Sequence, residues 1–160
     1  MNLQQQIQKE FPYPPTSDQI KAIQRFSAFV EQSSSSSVFL LNGYAGTGKT
    51  TLIASWLKPL QKQGFKVLLM APTGRAAKVM STYAKTKAYT IHKRIYFAQQ
   101  NKIGRIQFTL QKNKFKKSVF IVDEASIIGN EESSSQLFQT GSLLQDLISY
   151  VYQGDGCKLI

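Results

Sequence analysis

The chain has 160 residues, 42% of them hydrophobic and 11% aromatic against 18% charged, enough for one domain around one core and too apolar for wholesale disorder. Its single cysteine, Cys157, excludes an intramolecular disulfide, and no apolar run approaches the roughly 20 residues of a membrane helix. The N-terminal stretch MNLQQQIQKEFPYPPTSD has no basic segment leading into an apolar one, so a cytoplasmic protein without a secretory signal is expected.

Residues 1–15 are Gln-rich and then Pro-rich, and Pro12, Pro14 and Pro15 hold the backbone extended, which predicts an N-terminal arm ahead of a domain over 16–160. Thr16 or Ser17 caps a helix whose Ile20, Ile23, Phe26 and Phe29 or Val30 recur at helical spacing up to Glu31. After a serine run, Val38-Phe39-Leu40-Leu41 predicts a short buried strand. Glycine-rich sequence then opens a helix carrying Leu52, Ile53, Trp56, Leu57 and Leu60 and closing at Gly64. Lys66 to Ala71 predicts a second buried strand, Gly74 to Ala84 a helix, and Thr90 to Ala98 another short helix. The alternation from Arg105 to Leu110 after Gly104 predicts a half-exposed strand or hairpin. Ser118 to Val122 forms a third buried strand ending on Asp123-Glu124. A Ser/Glu-rich loop leads to a helix with Leu137, Leu143, Leu144, Leu147, Ile148 and Val151, and Cys157 to Ile160 starts a further strand. Wholly apolar strands alternating with helices predict an α/β fold, a parallel sheet covered by helices on both faces.

The charge is unevenly placed. Of twenty Lys and Arg residues, fifteen lie between Lys58 and Lys117, and no acid occurs between Glu31 and Asp123, for a formal net charge of +11. A basic middle without compensating acids points to a polyanionic partner, because neutralising phosphates releases condensed counterions.

Gly43-Tyr-Ala-Gly46-Thr47-Gly48-Lys49-Thr50 is a full match to the phosphate-binding loop pattern, set between a predicted strand and a predicted helix. Its glycines let the backbone wrap a phosphate so that amides from Gly46 to Thr50 point inward, with Thr51 completing the candidate set, and the helix N-terminus adds its positive end. Lys49 is placed to reach the terminal phosphates and the Thr50 hydroxyl to coordinate Mg²⁺. Asp123, at the tip of a strand expected to lie beside the loop's own strand, can hold the same ion through water. Glu124 can orient and deprotonate an attacking water. Together these residues argue for nucleoside triphosphate hydrolysis.

The joint pattern GYAGTGKT, APTGRAA (Ala71 to Ala77), TIH (Thr90 to His92) and IVDEAS (Ile121 to Ser126) resembles the first motor domain of superfamily 1 DNA helicases of the RecD-like group, across nearly the whole chain. The resemblance implies a RecA-like P-loop NTPase domain, three-layered, that hydrolyses ATP with Mg²⁺ and moves 5′ to 3′ along single-stranded DNA beside a second RecA-like domain. It gives Gln19 the role of adenine reader, and Thr73 and Arg75 that of a grip on the DNA backbone. His92, in the TIH segment, is either a DNA contact or a satisfied structural residue. Tyr83, Tyr89, Tyr96 and Phe97, interleaved with Lys85, Lys87, Lys93 and Arg94, suit a single-strand groove or core packing. Family members continue beyond a strand like Cys157–Ile160 into a Gly-Asp and Gln-Leu-Pro-Pro segment and the second domain. Neither is present, so the fold is expected to be incomplete at its C-terminus and the chain weakly active alone. The other readings of the same residues are a basic nucleic-acid-binding domain with a vestigial loop and an accessory P-loop ATPase.

Overall fold

The computed structural model describes residues 1–32, 37–100, 104, 106–128 and 142–160. Its helices are α1 (Leu3–Glu10), α2 (Ser17–Glu31), α3 (Lys49–Lys62), α4 (Gly74–Ala84), α5 (Ile91–Ile95) and α6 (Leu143–Tyr152), with one 3₁₀ turn at Ala125–Ile127. The strands are β1 (Lys66–Ala71), β2 (Ala88–Thr90), β3 (Tyr96–Gln100), β4 (Ile106–Leu110), β5 (Ser118–Val122) and β6 (Lys158–Leu159). Four of them form a parallel sheet in the order β2-β1-β5-β6, and β3 and β4 pair antiparallel as a separate hairpin.

Alternation along the strands divides the core into two. Leu69, Val119 and Ile121 face the layer built from α1 to α4, around the fully buried Trp56, Phe26 and Met80. Leu68, Met70, Phe120 and Leu159 face the other layer, which contains Ile91 and Ile95 of α5 and Leu147, Tyr150 and Val151 of α6. The fold is therefore a parallel sheet with helices on both faces, as the apolar strands required. The Trp56 ring stacks on Phe26 with centroids 3.8 Å apart and 8° between planes.

Three local expectations are corrected. The N-terminal arm contains a helix: Asn2 accepts the Gln5 amide at 2.9 Å while the Gln5 side chain accepts from the Asn2 N–H, a capping box that starts α1. Leu3 and Ile7, one turn apart and fully buried, dock this helix on α3. Glu10 pins it to Lys58 at 3.1 Å and Lys62 at 3.5 Å; the hydrogen bond from Lys58 holds the Glu10 carboxyl below its ordinary pKa. The Pro-rich residues 11–16 are neither helix nor strand and bend at Pro12 and Tyr13.

The second correction concerns Val38 to Leu41. The segment reaches the sheet at a single bridge, Val38 to Leu159, with Phe39 N–H donating to Leu159 O at 3.0 Å. Phe39 and Leu41 pack on the Trp56 layer, but Leu40 between them is 70% exposed, as alternation along an extended segment requires when only one side is covered.

Third, the helix expected over 90–98 stops at Ile95 and gives way to β3. Tyr96 turns inward there and its hydroxyl donates to the buried Asp146 carboxylate at 2.5 Å. Burial, and then this carboxylate, raise the phenol's pKa well above its ordinary value. The hairpin expected around 105–110 is present as β3–β4. Most of the serine loop, the Ser/Glu-rich loop, Leu137 and Arg105 fall outside the described residues. Among the described residues no helix is long and apolar enough to cross a membrane.

Candidate nucleotide-binding site

Strands of a parallel sheet all end on one edge, so each loop leaving a carboxyl end opens on the same side. Read across the sheet, that edge carries the loop after Leu41, then β6, then Asp123-Glu124 after β5, Thr73-Arg75 after β1, and Thr90-His92 after β2. Asp123 is thus not on a strand adjacent to the loop's strand: β6 lies between them, and two strand spacings make the separation about 10 Å.

The loop is held by its own backbone. Gly46 and Gly48 have φ of +78° and +83°, conformations an L side chain rarely adopts. A Cβ at Gly43 would stand 2.8 Å from Thr47 Oγ1. Thr47 turns back on Tyr44, its Oγ1 donating to the Tyr44 carbonyl at 2.8 Å. The Lys49 ammonium spans the same turn, donating to Gly43 O at 2.6 Å and Tyr44 O at 2.9 Å. Two of its three N–H groups are thereby engaged, and one is left for a phosphate oxygen.

Gly48 caps α3 without a side chain, so the first-turn amides of Lys49, Thr50 and Thr51 are orphan donors at the positive end of a 14-residue helix. Such a helix end attracts anions. The Tyr44 side chain stands 89% exposed at its rim.

Gln19 reaches this loop from α2. Its Nε2 donates to Thr47 O at 3.2 Å, its Oε1 accepts the Thr16 N–H at 2.9 Å, and its own N–H donates to Thr16 Oγ1 at 3.3 Å. The side chain expected to read adenine is therefore engaged at both ends by protein backbone. Sequence reasoning paired Thr16 with Gln19 only by spacing and overlooked Tyr44, whose carbonyl receives both Thr47 and Lys49; a loop carbonyl has no residue-type signal.

A family model described as an AAA domain matches residues 26–151. The chain belongs to the AAA domain family. The matched span of this AAA domain holds the phosphate loop, Thr73, Arg75, His92, Asp123 and Glu124, and begins after Gln19. With the parallel sheet and the loop geometry it makes the protein a P-loop domain of the ATP-binding kind.

The donor set of this AAA domain suits Mg²⁺. Among the described residues no group of three or more His, Cys, Asp or Glu could hold a metal, and Mg²⁺ is held through one or two protein oxygens plus phosphate oxygens and waters rather than by an all-protein cage. Thr50 and Asp123 are hard oxygen donors of that type. Asp123 is anchored at the strand end, its N–H donating to Met70 O at 3.0 Å and its Oδ1 accepting the Glu124 N–H at 2.9 Å.

Glu124 occupies the left-handed region, φ 57° and ψ 36°, and its side chain is exposed. That conformation costs a non-glycine residue about 1–2 kcal/mol, a strain characteristic of functional sites. Glu124→Gly is accordingly expected to raise the stability of the AAA domain by about 0.5 kcal/mol, after the added unfolded-state entropy of glycine, read as a higher thermal midpoint.

The remaining candidates lie further along the edge. Thr73 caps α4, its Oγ1 accepting the Ala76 N–H at 3.2 Å, and Arg75 is exposed one residue into the helix. His92 is exposed on α5, its ring 5.8 Å from that of Tyr96, and partial burial lowers its pKa. The interleaved aromatics do not form one groove. Tyr96 is core, Tyr89 is covered by Arg94 at 4.7 Å and Lys87 at 5.1 Å, and Tyr83 is exposed near the far end of α4. A cleft of about 490 Å³ runs along α3 past Thr50, Thr51, Lys58, Tyr83 and Lys85. It includes Thr50 and Thr51 but none of Lys49, Asp123 or Glu124.

Proposed function

We propose that this AAA domain is the first motor domain of an ATP-dependent DNA helicase of the RecD-like group, coupling ATP hydrolysis to 5′-to-3′ movement on single-stranded DNA beside a second RecA-like domain. One observation carries the reading: the phosphate loop, the Asp123-Glu124 pair and the Thr73-Arg75 turn stand in that order on one edge of the sheet. Nucleotide chemistry and a basic, helix-capped turn then share one rigid frame. In this reading the orphan amides of α3 and the Lys49 ammonium bind the phosphates, and Thr50 with Asp123 would hold Mg²⁺, which when bound neutralises phosphate charge. Glu124 orients water and accepts its proton.

On the DNA side, Thr73 and Arg75 meet phosphates at a helix N-terminus, His92 extends that line, and the basic stretch from Lys58 to Lys117 supplies the long-range attraction. In this reading the arginines that stabilise transition-state charge come from the second domain, where an arginine finger is worth about 10³ to 10⁵ in rate.

The test is binding of a fluorescent oligothymidylate across a salt series, with and without ATP·Mg²⁺. The expected result is nucleotide-sensitive binding, and an Arg75→Ala variant whose log–log salt slope is shallower by about one. Binding that ignores ATP and survives Lys49→Ala unchanged would leave a basic nucleic-acid-binding domain with an unused loop.

A further inference from the structure

The contact between Gln19 and the loop has a geometric effect that base reading does not require. A trans peptide is planar, and its C=O and N–H point in opposite directions. The Thr47–Gly48 peptide is trans, and its carbonyl is held toward α2 by Gln19 Nε2 at 3.2 Å. The Gly48 N–H is thereby aimed away from α2, among the loop amides that a phosphate would meet.

Gln19 is itself fixed. Its Oε1 is tied to the Thr16 N–H and its backbone to the Thr16 hydroxyl, a complete capping box at the start of α2. Fit is close as well, since a Cβ at Gly48 would stand 3.0 Å from Gln19 Nε2. Gly48 is favoured by its positive φ, and a Cβ there would press on the Gln19 amide.

We infer that Gln19 is a positioning residue for the phosphate loop: a strut from the cap of α2 that sets the Gly48 peptide plane and so governs affinity for the triphosphate moiety, whatever base is attached. The inference rests on the nucleotide-site reading above and deepens it. It differs from adenine recognition in one respect that can be measured, because a base reader is blind to a ligand without a base.

The experiment titrates the chain calorimetrically with MgATP, MgGTP and magnesium tripolyphosphate. Two variants are compared with wild type. Gln19→Met removes the donor to Thr47 O without adding charge. Gln19→Glu removes the same donor but keeps an acceptor for the Thr16 N–H, so the capping box survives. The expected result is a loss of about tenfold in affinity, equal for all three ligands, in Gln19→Met and at least as large in Gln19→Glu, with circular dichroism and thermal midpoint close to wild type. Tripolyphosphate affinity equal to wild type, with the preference between ATP and GTP lost, would overturn the strut in favour of base reading. Unchanged affinity for every ligand would overturn it too. A wild-type chain that binds none of the three defeats the nucleotide-site reading itself, and the strut falls with it.

Discussion

Lys49→Ala is expected to reduce ATP affinity by about 100-fold or more while leaving the fold intact. The ammonium makes two hydrogen bonds to loop carbonyls, to Gly43 at 2.6 Å and Tyr44 at 2.9 Å. Hydrogen bonds to a charged group contribute about 1.5–3 kcal/mol each where a partner must otherwise be left unmet. Removing the side chain deletes the attraction for phosphate charge and also the tie that keeps the first turn of the loop closed. Lys49 is a member of neither core cluster among the described residues, so the thermal midpoint is expected to move little. Isothermal titration with MgATP beside a thermal melt separates the two effects. Wild-type affinity in the variant would remove the loop from the site.

The largest stability effect is expected at Trp56. Its ring is fully buried, stacks on Phe26 and meets Phe39 edge-on at 6.2 Å, so it joins α2, α3 and the Val38–Leu41 segment that leads into the loop. Trp56→Ala leaves a cavity at this junction and is expected to cost about 4 kcal/mol, a fall of about 10 °C in thermal midpoint for a domain of this size. Trp56→Phe has a different expectation. The indole Nε1 is buried without a hydrogen-bond partner among the described residues, and phenylalanine removes that unmet donor. The relief offsets part of the lost volume, so the net cost is expected to stay near 1 kcal/mol. Chemical denaturation of the two variants checks the pair. Equal losses in both would show that the indole nitrogen carries no penalty.

The parts legible in the sequence were those whose signal is local. The helices α2, α3 and α4 and the strands β1 and β5 have apolar residues at the period their structure demands, bounded by Thr16, Gly64, Thr73 and Ser118. The phosphate loop was legible because positive φ at Gly46 and Gly48 admits few residues other than glycine. Helix α1 was missed because only Leu3 and Ile7 carry its apolar face and three prolines follow closely. Its Asn2–Gln5 capping box was the available signal. Tyr96 extended the apolar run of Ile91 and Ile95, and the chain turns there into β3 through distant partners: Asp146 accepts from the Tyr96 hydroxyl, Gln111 Nε2 donates to Tyr96 O at 2.6 Å, and β4 pairs along the strand. The bond from Gln19 to Thr47 spans 28 residues and depends on how α2 lies against the loop. No composition or spacing encodes that.

The placement of β6 between the loop's strand and β5 governs the order in which the molecule can be assembled. During synthesis the phosphate loop leaves the ribosome early, yet the strand that leads into it has its partner in Leu159, and the buried Lys158 ammonium that closes this seam donates to Gln32 O across 126 residues. Contacts so distant in sequence are slow to form. Until β6, made more than a hundred residues later, slides into its slot, the apolar flank of the Val38–Leu41 segment stays open to other chains, which makes this seam a natural point of chaperone dependence and of aggregation when translation stalls.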